Sequence, residues 1–297
     1  MSHIKKNIVL FDLAHNEMLN INDEEYFEFQ TLLKQLNFKI EFNRNKNLVK
    51  KILNDIDILV IGNPIDNFFS NIEIKAIVDF VREGGRLLLI SEYGADYLQK
   101  TNLNDISGKH FGLIFQKNII KERNKINKNC SSILSIQDFN HHSISSQLRD
   151  IRIGGSCSLY LNKTARPVLI AKSEFVWSET YNSLLKKWSK EEENQSQIIA
   201  AYTEYGRGKV FAIGDIDIFS DNNNIGINQL DNRKFILNIF NWLMEPVGEE
   251  DVTRWILNLL GNIQGEIKEI NLKINNLIET ASVLEKRISF LEDTNLK

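Results

Sequence analysis

Ser91-Glu92-Tyr93-Gly94 closes an apolar run and precedes a helix-like segment, in the stretch RLLLISEYGADYLQ. A sharp strand-to-helix turn of this kind is where one large group of α/β enzymes carries its nucleophile. This turn offers Glu92, able to act as a base or a ligand but a poor substitute for a thiolate. His15, in DLAHNE, could pair with Glu92 for acid–base work, because imidazole titrates near neutral pH. Asp12, Asp215, Asp217 and Asp221 could join Glu92 around a hard cation such as Mg²⁺. Each idea has a plainer alternative: a loop histidine commonly bonds locally, and Asp215 and Ser220 are residue types that cap turns and helices. The plainer alternative is preferred throughout, so no catalytic residue, metal site or cofactor is assigned. A hydrolase using Glu92 and His15, with or without a metal, is kept as the second reading. His141 and His142 precede Ser143, which is suited to cap a short helix. Neither GRG nor REGGR has the spacing of a phosphate-cradling loop.

The elements that would position these groups follow from periodicity. Ile8–Leu13, Asp57–Ile61 and Arg86–Ile90 are short apolar runs that predict buried strands, and Phe38–Phe42 alternates like a strand. Asp23–Leu36 and Asn71–Arg82 repeat apolar residues at helical spacing, Leu48–Leu53 is a short amphipathic helix, and Gly84-Gly85 stops the helix before it. Strands alternating with helices predict an α/β fold, a parallel sheet with helices on both faces. In such sheets a site lies beyond the carboxyl ends of the strands. That edge should carry a ligand-binding cleft of Asp12, His15, Asn63, Ser91, Glu92, Asp215 and Asp217. Residues 102–178 are less regular, with short strands expected at Ile133–Ile136, Ile151–Ile153, Cys157–Leu161 and Val168–Ala171. Glu179–Gln197 is polar and reads as an exposed, mobile insertion. The aromatics Trp177, Tyr181 and Trp188 either anchor it or form a sugar- or peptide-binding lip. Two apolar runs around Gly206-Arg207-Gly208 predict a hairpin, and Arg233–Met244 a capping helix.

Composition narrows the class. A net charge of −3 over 297 residues gives no general attraction to nucleic acid or to anionic membrane. Two cysteines, Cys130 and Cys157, are too few and too far apart for a disulfide scaffold or a structural zinc site. No run approaches the roughly 20 apolar residues of a membrane span. Ile8–Phe11 is too short for a signal-peptide core, so a cytoplasmic location is expected.

After Pro246-Val247-Gly248 the pattern changes. Ile256, Leu260, Ile263, Ile267, Ile270, Ile274, Leu277, Ala281, Leu284, Ile288 and Leu291 follow alternating steps of four and three without a miss. A sustained heptad of this length argues for a coiled coil, and a stripe so long needs a partner. Isoleucine occupies both seam classes, so dimer, trimer and tetramer stay open. Residues 1–248 should form the α/β domain and 249–297 an oligomerisation helix.

The strand–turn–glycine–helix at Glu92-Tyr93-Gly94 resembles the nucleophile elbow of class I glutamine amidotransferase-like domains, with Glu92 at the cysteine position. Those enzymes place a histidine and an acid after the last core strand, where this chain has IGDIDIFSD, with no histidine. DILVIGNP, EIKAIVDFVREGGRLLLISEYG and GRGKVFAIGDIDIFSD…NRKFILNIFNWL together resemble the GIFT domain over most of residues 7–245. That is the non-catalytic amidotransferase-like domain of intraflagellar-transport complex B subunit 52 and of gliding-motility ABC-transporter auxiliary proteins. The resemblance implies a flavodoxin-like sheet used for binding or scaffolding, with protein partners and a suggestion of oligosaccharide binding. The expected function is therefore a non-enzymatic scaffold, homo-oligomeric through its tail, with a carbohydrate sensor as a further alternative.

Overall fold

Alternation along the central strands builds two cores, one on each face of a sheet. Val9 and Phe11, Ile58 and Val60, Leu88 and Ile90, and Phe211 and Ile213 point into one core. Leu10, Leu59 and Ile61, Leu87 and Leu89, and Val210 and Ala212 point into the other. Burial on both faces is why these strands read as continuous apolar runs rather than as alternating ones.

A computed structural model of the chain describes residues 7–44, 46–123, 132–182, 184–191 and 195–295. It divides into two compact units, Met1–Val247 and Gly248–Lys297. The first begins with β1 (Ile8–Asp12), α1 (Phe27–Gln35), β2 (Lys39–Asn43), α2 (Lys50–Leu53), β3 (Ile58–Gly62), α3 (Asn71–Arg82) and β4 (Arg86–Ile90). The elbow leads into α4 (Ala95–Gln99) and α5 (Leu103–Phe111), then β5 (Leu113–Phe115) and β6 (Asn118–Glu122). The middle supplies β7 (Ile133–Ile136), β8 (Asp138–Phe139), β9 (Ile151–Gly154), β10 (Leu159–Leu161), β11 (Arg166–Ala171), β12 (Val176–Asn182) and β13 (Lys187–Lys190). The unit ends with β14 (Gln197–Tyr205), β15 (Gly208–Ile213) and α6 (Asn232–Met244).

The main sheet runs β2-β1-β3-β4-β15-β14-β10-β5, with β11 beside β14 and β8 beside β11. Strands β2, β1, β3, β4 and β15 are mutually parallel, as the alternation of strands and helices requires. Beyond β15 the sheet continues antiparallel through the expected β14–β15 hairpin, so it is mixed rather than wholly parallel. α1 and α6 bury Phe29, Leu33, Phe235 and Phe240 against one face. α3 and α5 bury Ile77, Val81, Ile106 and Phe111 against the other.

Glu179–Gln197 departs from expectation. It is not a free insertion: β12 and β13 form a hairpin whose first strand pairs with β6. Tyr181 and Trp188 face one another across it, with ring centroids 5.4 Å apart. They pack on Tyr97 and Tyr93 of the elbow at 5.9 and 6.2 Å, while Lys190 sits 4.8 Å over the Trp177 ring. A few aromatics supply its contacts, which leaves no apolar periodicity to read. His142, not Ser143, caps the short turn Ser143–Ser145: its side chain accepts from the Ile144 N–H. Cys130 lies outside the described residues.

Gly208 opens β15 where the carbonyl oxygens of Val81 and Gly85 occupy the space a Cβ would need. Backbone cannot retreat as a flexible side chain can, so Gly208→Ala should cost about 2–4 kcal/mol. A lower urea midpoint with an unchanged slope would register that loss.

The second unit contains α7 (Glu249–Asn295), 47 residues and roughly 70 Å long at ~1.5 Å per residue. Its seam residues Ile256, Leu260, Ile263, Ile267, Ile270, Ile274, Leu277 and Leu284 are 43–68% exposed. The side chains of Ile288 and Leu291 lie outside the described residues. Gly261 and Gly265 fall off the seam, and a Cβ at either meets no atom within 4 Å. Gly261→Ala and Gly265→Ala should therefore each stabilise the helix by about 1 kcal/mol, read as a higher melting temperature by circular dichroism.

Candidate functional site

The turn after β4 is built from backbone hydrogen bonds. Ser91 N–H donates to the Ile213 carbonyl at 3.0 Å and so holds β4 against β15. Gly94 takes φ +78°, a left-handed conformation that glycine adopts without steric cost, and the chain then enters α4. In a working elbow the N–H after the nucleophile helps to bind the oxyanion. Here Tyr93 N–H donates to the Gly155 carbonyl and Gly94 N–H to the Asn118 carbonyl, both at 3.0 Å. Both donors are spent inside the protein.

Glu92 itself is a tie. Its Oε1 accepts from Tyr93 N–H at 3.1 Å and its Oε2 from Ile216 N–H at 3.3 Å. Asp215 stands on the adjacent strand end, accepting from Gly154 N–H at 2.6 Å and from Ile218 N–H at 2.9 Å. The second of these bonds ties Asp215 to the turn Asp217–Phe219 from one residue before its N-cap, Ile216. Burial, and then the charge of Asp215, raise Glu92 well above the usual carboxylate range. Burial and the nearby Asp217 push Asp215 up to about 8. Carboxyls held this high favour the neutral form, because burial in a low-dielectric surrounding penalises charge.

His15 does not meet Glu92. Its Nδ1 lies 2.6 Å from Asp12 Oδ2 and its Nε2 3.2 Å from Glu73 Oε1, while its ring stacks on Phe69 at 3.9 Å. Glu73 also completes the capping box of α3 with Ser70, so the start of α3 and the end of β1 are joined through one imidazole. Glu17 completes the group: its Oε2 accepts from His15 N–H at 3.2 Å. Burial, and next the Asp12 carboxylate, push Glu17 up to about 10. Asn63 turns its amide N–H toward the Met18 sulfur at 2.9 Å, and its Oδ1 has no hydrogen-bond partner.

The expected cleft residues thus form two separate clusters. Asp12, His15, Asn63, Ser91, Glu92 and Asp215 are each 5% exposed or less, and Asp217 is half-buried. The cation set imagined around Glu92 does not assemble: Asp221 instead accepts from Glu28 N–H at the start of α1. Two open pockets lie outside the clusters themselves, the second sharing Asn43, the partner of Asp12. One of about 560 Å³ is bordered by Gln116, Tyr160 and Glu191, and one of about 910 Å³ by Phe42, Arg44 and Lys51. Sequence reasoning passed over Glu17 and Glu73, whose roles depend on contacts between loops that carry no periodic signal. It also gave no reason to place Cys157 beside the elbow. There burial, and then the Glu92 charge, push the thiol well above its ordinary value, with the Ser91 side chain as its hydrogen-bonding neighbour. Such a thiol is a poor nucleophile.

Residues 8–126, less than half of the chain, match the family model of the IFT52 GIFT domain. The resemblance read from the sequence holds there. Comparison with curated proteins finds no match. Among solved structures, the mmIFT52 N-terminal domain superposes with a TM-score of 0.65 at 19% identity, covering 81% of this chain and 98% of that one. A thua-like protein from Bacteroides uniformis gives 0.52 at 14% identity, covering 80% of this chain and 91% of its own. A cytoplasmic protein from Salmonella typhimurium LT2 gives 0.52 at 12% identity, over 80% of this chain and all of that one. At these identities the likeness is one of fold.

Proposed function

We propose, on the premise of the GIFT-domain match over residues 8–126, that this chain is a non-enzymatic scaffold. Copies of the α/β unit are presented together by self-association of α7, and the unit's surface engages protein partners in the cytoplasm. The observation that carries this reading is the heptad stripe of α7, whose described seam side chains lie 43–68% open. An apolar stripe of that length is costly in water and is relieved by a matching helix. Multiple copies on one stalk convert weak contacts into avid ones. The elbow supports the same reading, since its carboxyl and both adjacent N–H donors are taken up by internal bonds. Glycan and hydrolytic roles draw no comparable support from groups this deeply buried. Among the described residues no helix is long and apolar enough to cross a membrane.

Light-scattering mass tests the proposal. The full chain should give a defined multiple of 34.4 kDa, and a chain ending at Gly248 a folded single copy. Two single-copy masses would remove the scaffold's main support.

A further inference from the structure

The loop after β1 gathers Asp12, His15 and Glu17 around one point, and we infer that this point binds a divalent first-row transition cation of the zinc class. One donor atom from each residue, an imidazole nitrogen and two carboxylate oxygens, lies within 4.8 Å of the others, and all three residues are buried. His15 Nδ1 is 2.6 Å from Asp12 Oδ2 and 4.0 Å from Glu17 Oε1. Tetrahedral zinc with bonds of about 2.0–2.2 Å sets its donors roughly 3.3–3.6 Å apart. To meet that geometry Asp12 Oδ2 and His15 Nδ1 must part by about 0.7–1.0 Å and Glu17 Oε1 must close on Nδ1 by about 0.4–0.7 Å.

What separates this group from an ordinary acidic loop is how each ligand is held. Asp12 Oδ1 is pinned by the Asn43 amide at 2.7 Å, which leaves Oδ2 facing the point. Glu17 Oε2 is pinned by the His15 N–H, and its Oε1, buried, has no hydrogen-bond donor. His15 Nε2 is engaged by Glu73, itself held by the Leu48 and Ser70 N–H groups. A carboxylate accepting from the outer imidazole N–H is the usual outer partner of a metal-bound histidine, and it leaves Nδ1 with its lone pair inward. Three carboxyl groups surround one imidazole, and among the described residues no lysine or arginine pairs with Asp12, Glu17 or Glu73. Asp12 Oδ2 has the His15 Nδ1 as its hydrogen-bond partner and Glu73 has two N–H donors, so the buried oxygen left without a donor is Glu17 Oε1, and it needs a proton or a cation. Imidazole nitrogen with carboxylate oxygen favours zinc-class ions over Mg²⁺ or Ca²⁺, which prefer all-oxygen shells. The ion would staple the loop after β1 to the start of α3.

The test uses the full chain, stripped with chelator and titrated with Zn²⁺ against a chromophoric competitor. Expected are one equivalent per chain at a Kd of about 1 µM or tighter, a raised melting temperature, and intense four-coordinate visible bands with Co²⁺. Glu17→Gln and His15→Gln should each weaken binding by more than about tenfold. Absence of saturable binding up to about 100 µM Zn²⁺ overturns the assignment. So does binding that survives both substitutions undiminished, which would place the ion on other histidines such as His141. Should either variant fail to fold, the Co²⁺ spectrum of the parent decides, and weak six-coordinate bands count against the site. None of these outcomes depends on whether α7 self-associates.

Discussion

A full-length chain carrying Ile267→Asp and Ile274→Asp should be a single copy at concentrations where the parent is a defined oligomer. Both residues occupy the same seam class, one heptad apart, and are 52% and 47% exposed. Burying an isoleucine against a partner helix is worth about 1.5–3 kcal/mol. Even a dimer therefore forfeits four such burials, on the order of 6–12 kcal/mol, and must in addition bring carboxylates into an apolar seam. That loss is comparable to the whole association free energy of a nanomolar dimer, about 12 kcal/mol. Helicity should persist in part, because the mixed-charge outer face is untouched, including the Glu269–Lys273 pair at 2.7 Å. Sedimentation or light scattering reads the mass, and circular dichroism separates loss of assembly from loss of helix. A parent that is already a single copy would defeat the expectation outright.

The second large effect is on stability against pH. Glu92 and Asp215 are both raised in the folded protein relative to ordinary carboxyls. A group raised in this way keeps a proton in the native state that the unfolded chain releases. Its contribution is fully present below the unfolded value, near pH 4, and is lost as pH rises through the folded value. For Asp215 that window runs from 3.8 to about 8. Each such proton gives a slope of up to about 1.4 kcal/mol per pH unit. Asp96, pushed up to about 6 by burial, acts with the same sign, whereas His110 and His142, lowered by burial, act against it near pH 6. The informative quantity is therefore the difference between parent and variant.

Glu92→Gln removes the ionisable group while keeping its shape. Its amide offers one acceptor oxygen where two N–H groups, those of Tyr93 and Ile216, now have one each. Tyr93 N–H keeps the Gly155 carbonyl in either case, so the substitution should cost about 1 kcal/mol at pH 5 for the one hydrogen bond lost. The deficit should shrink as pH rises toward 9, because the native parent must then either hold a proton the unfolded chain releases or bury a charge, and the variant does neither. Urea midpoints across that range measure it. Parallel curves would mean that burial does not raise Glu92 above its unfolded value.

The first of these effects traces back to what was legible in the chain. The α/β class, the order β1 to β4, the β14–β15 hairpin and the position of the elbow follow from local apolar periodicity and glycine placement. Those signals are short-range, and burial on both sheet faces makes them strong. The unbroken heptad of α7 is legible for the same reason.

Which polar groups meet is a different matter. Asp12, His15 and Glu17 are neighbours in sequence, yet Glu73 joins them only because α3 starts beside the end of β1. Glu92 and Asp215 approach because β4 and β15, distant in sequence, are parallel neighbours. The aromatic hairpin over the elbow depends on four rings from two segments, so neither segment alone announces it. Periodicity encodes which side of an element is buried and says nothing of what lies opposite. The sequence by itself therefore determined the scaffold and its tail. Only the tertiary structure decided that the elbow is closed and that the histidine belongs to a separate cluster of acids.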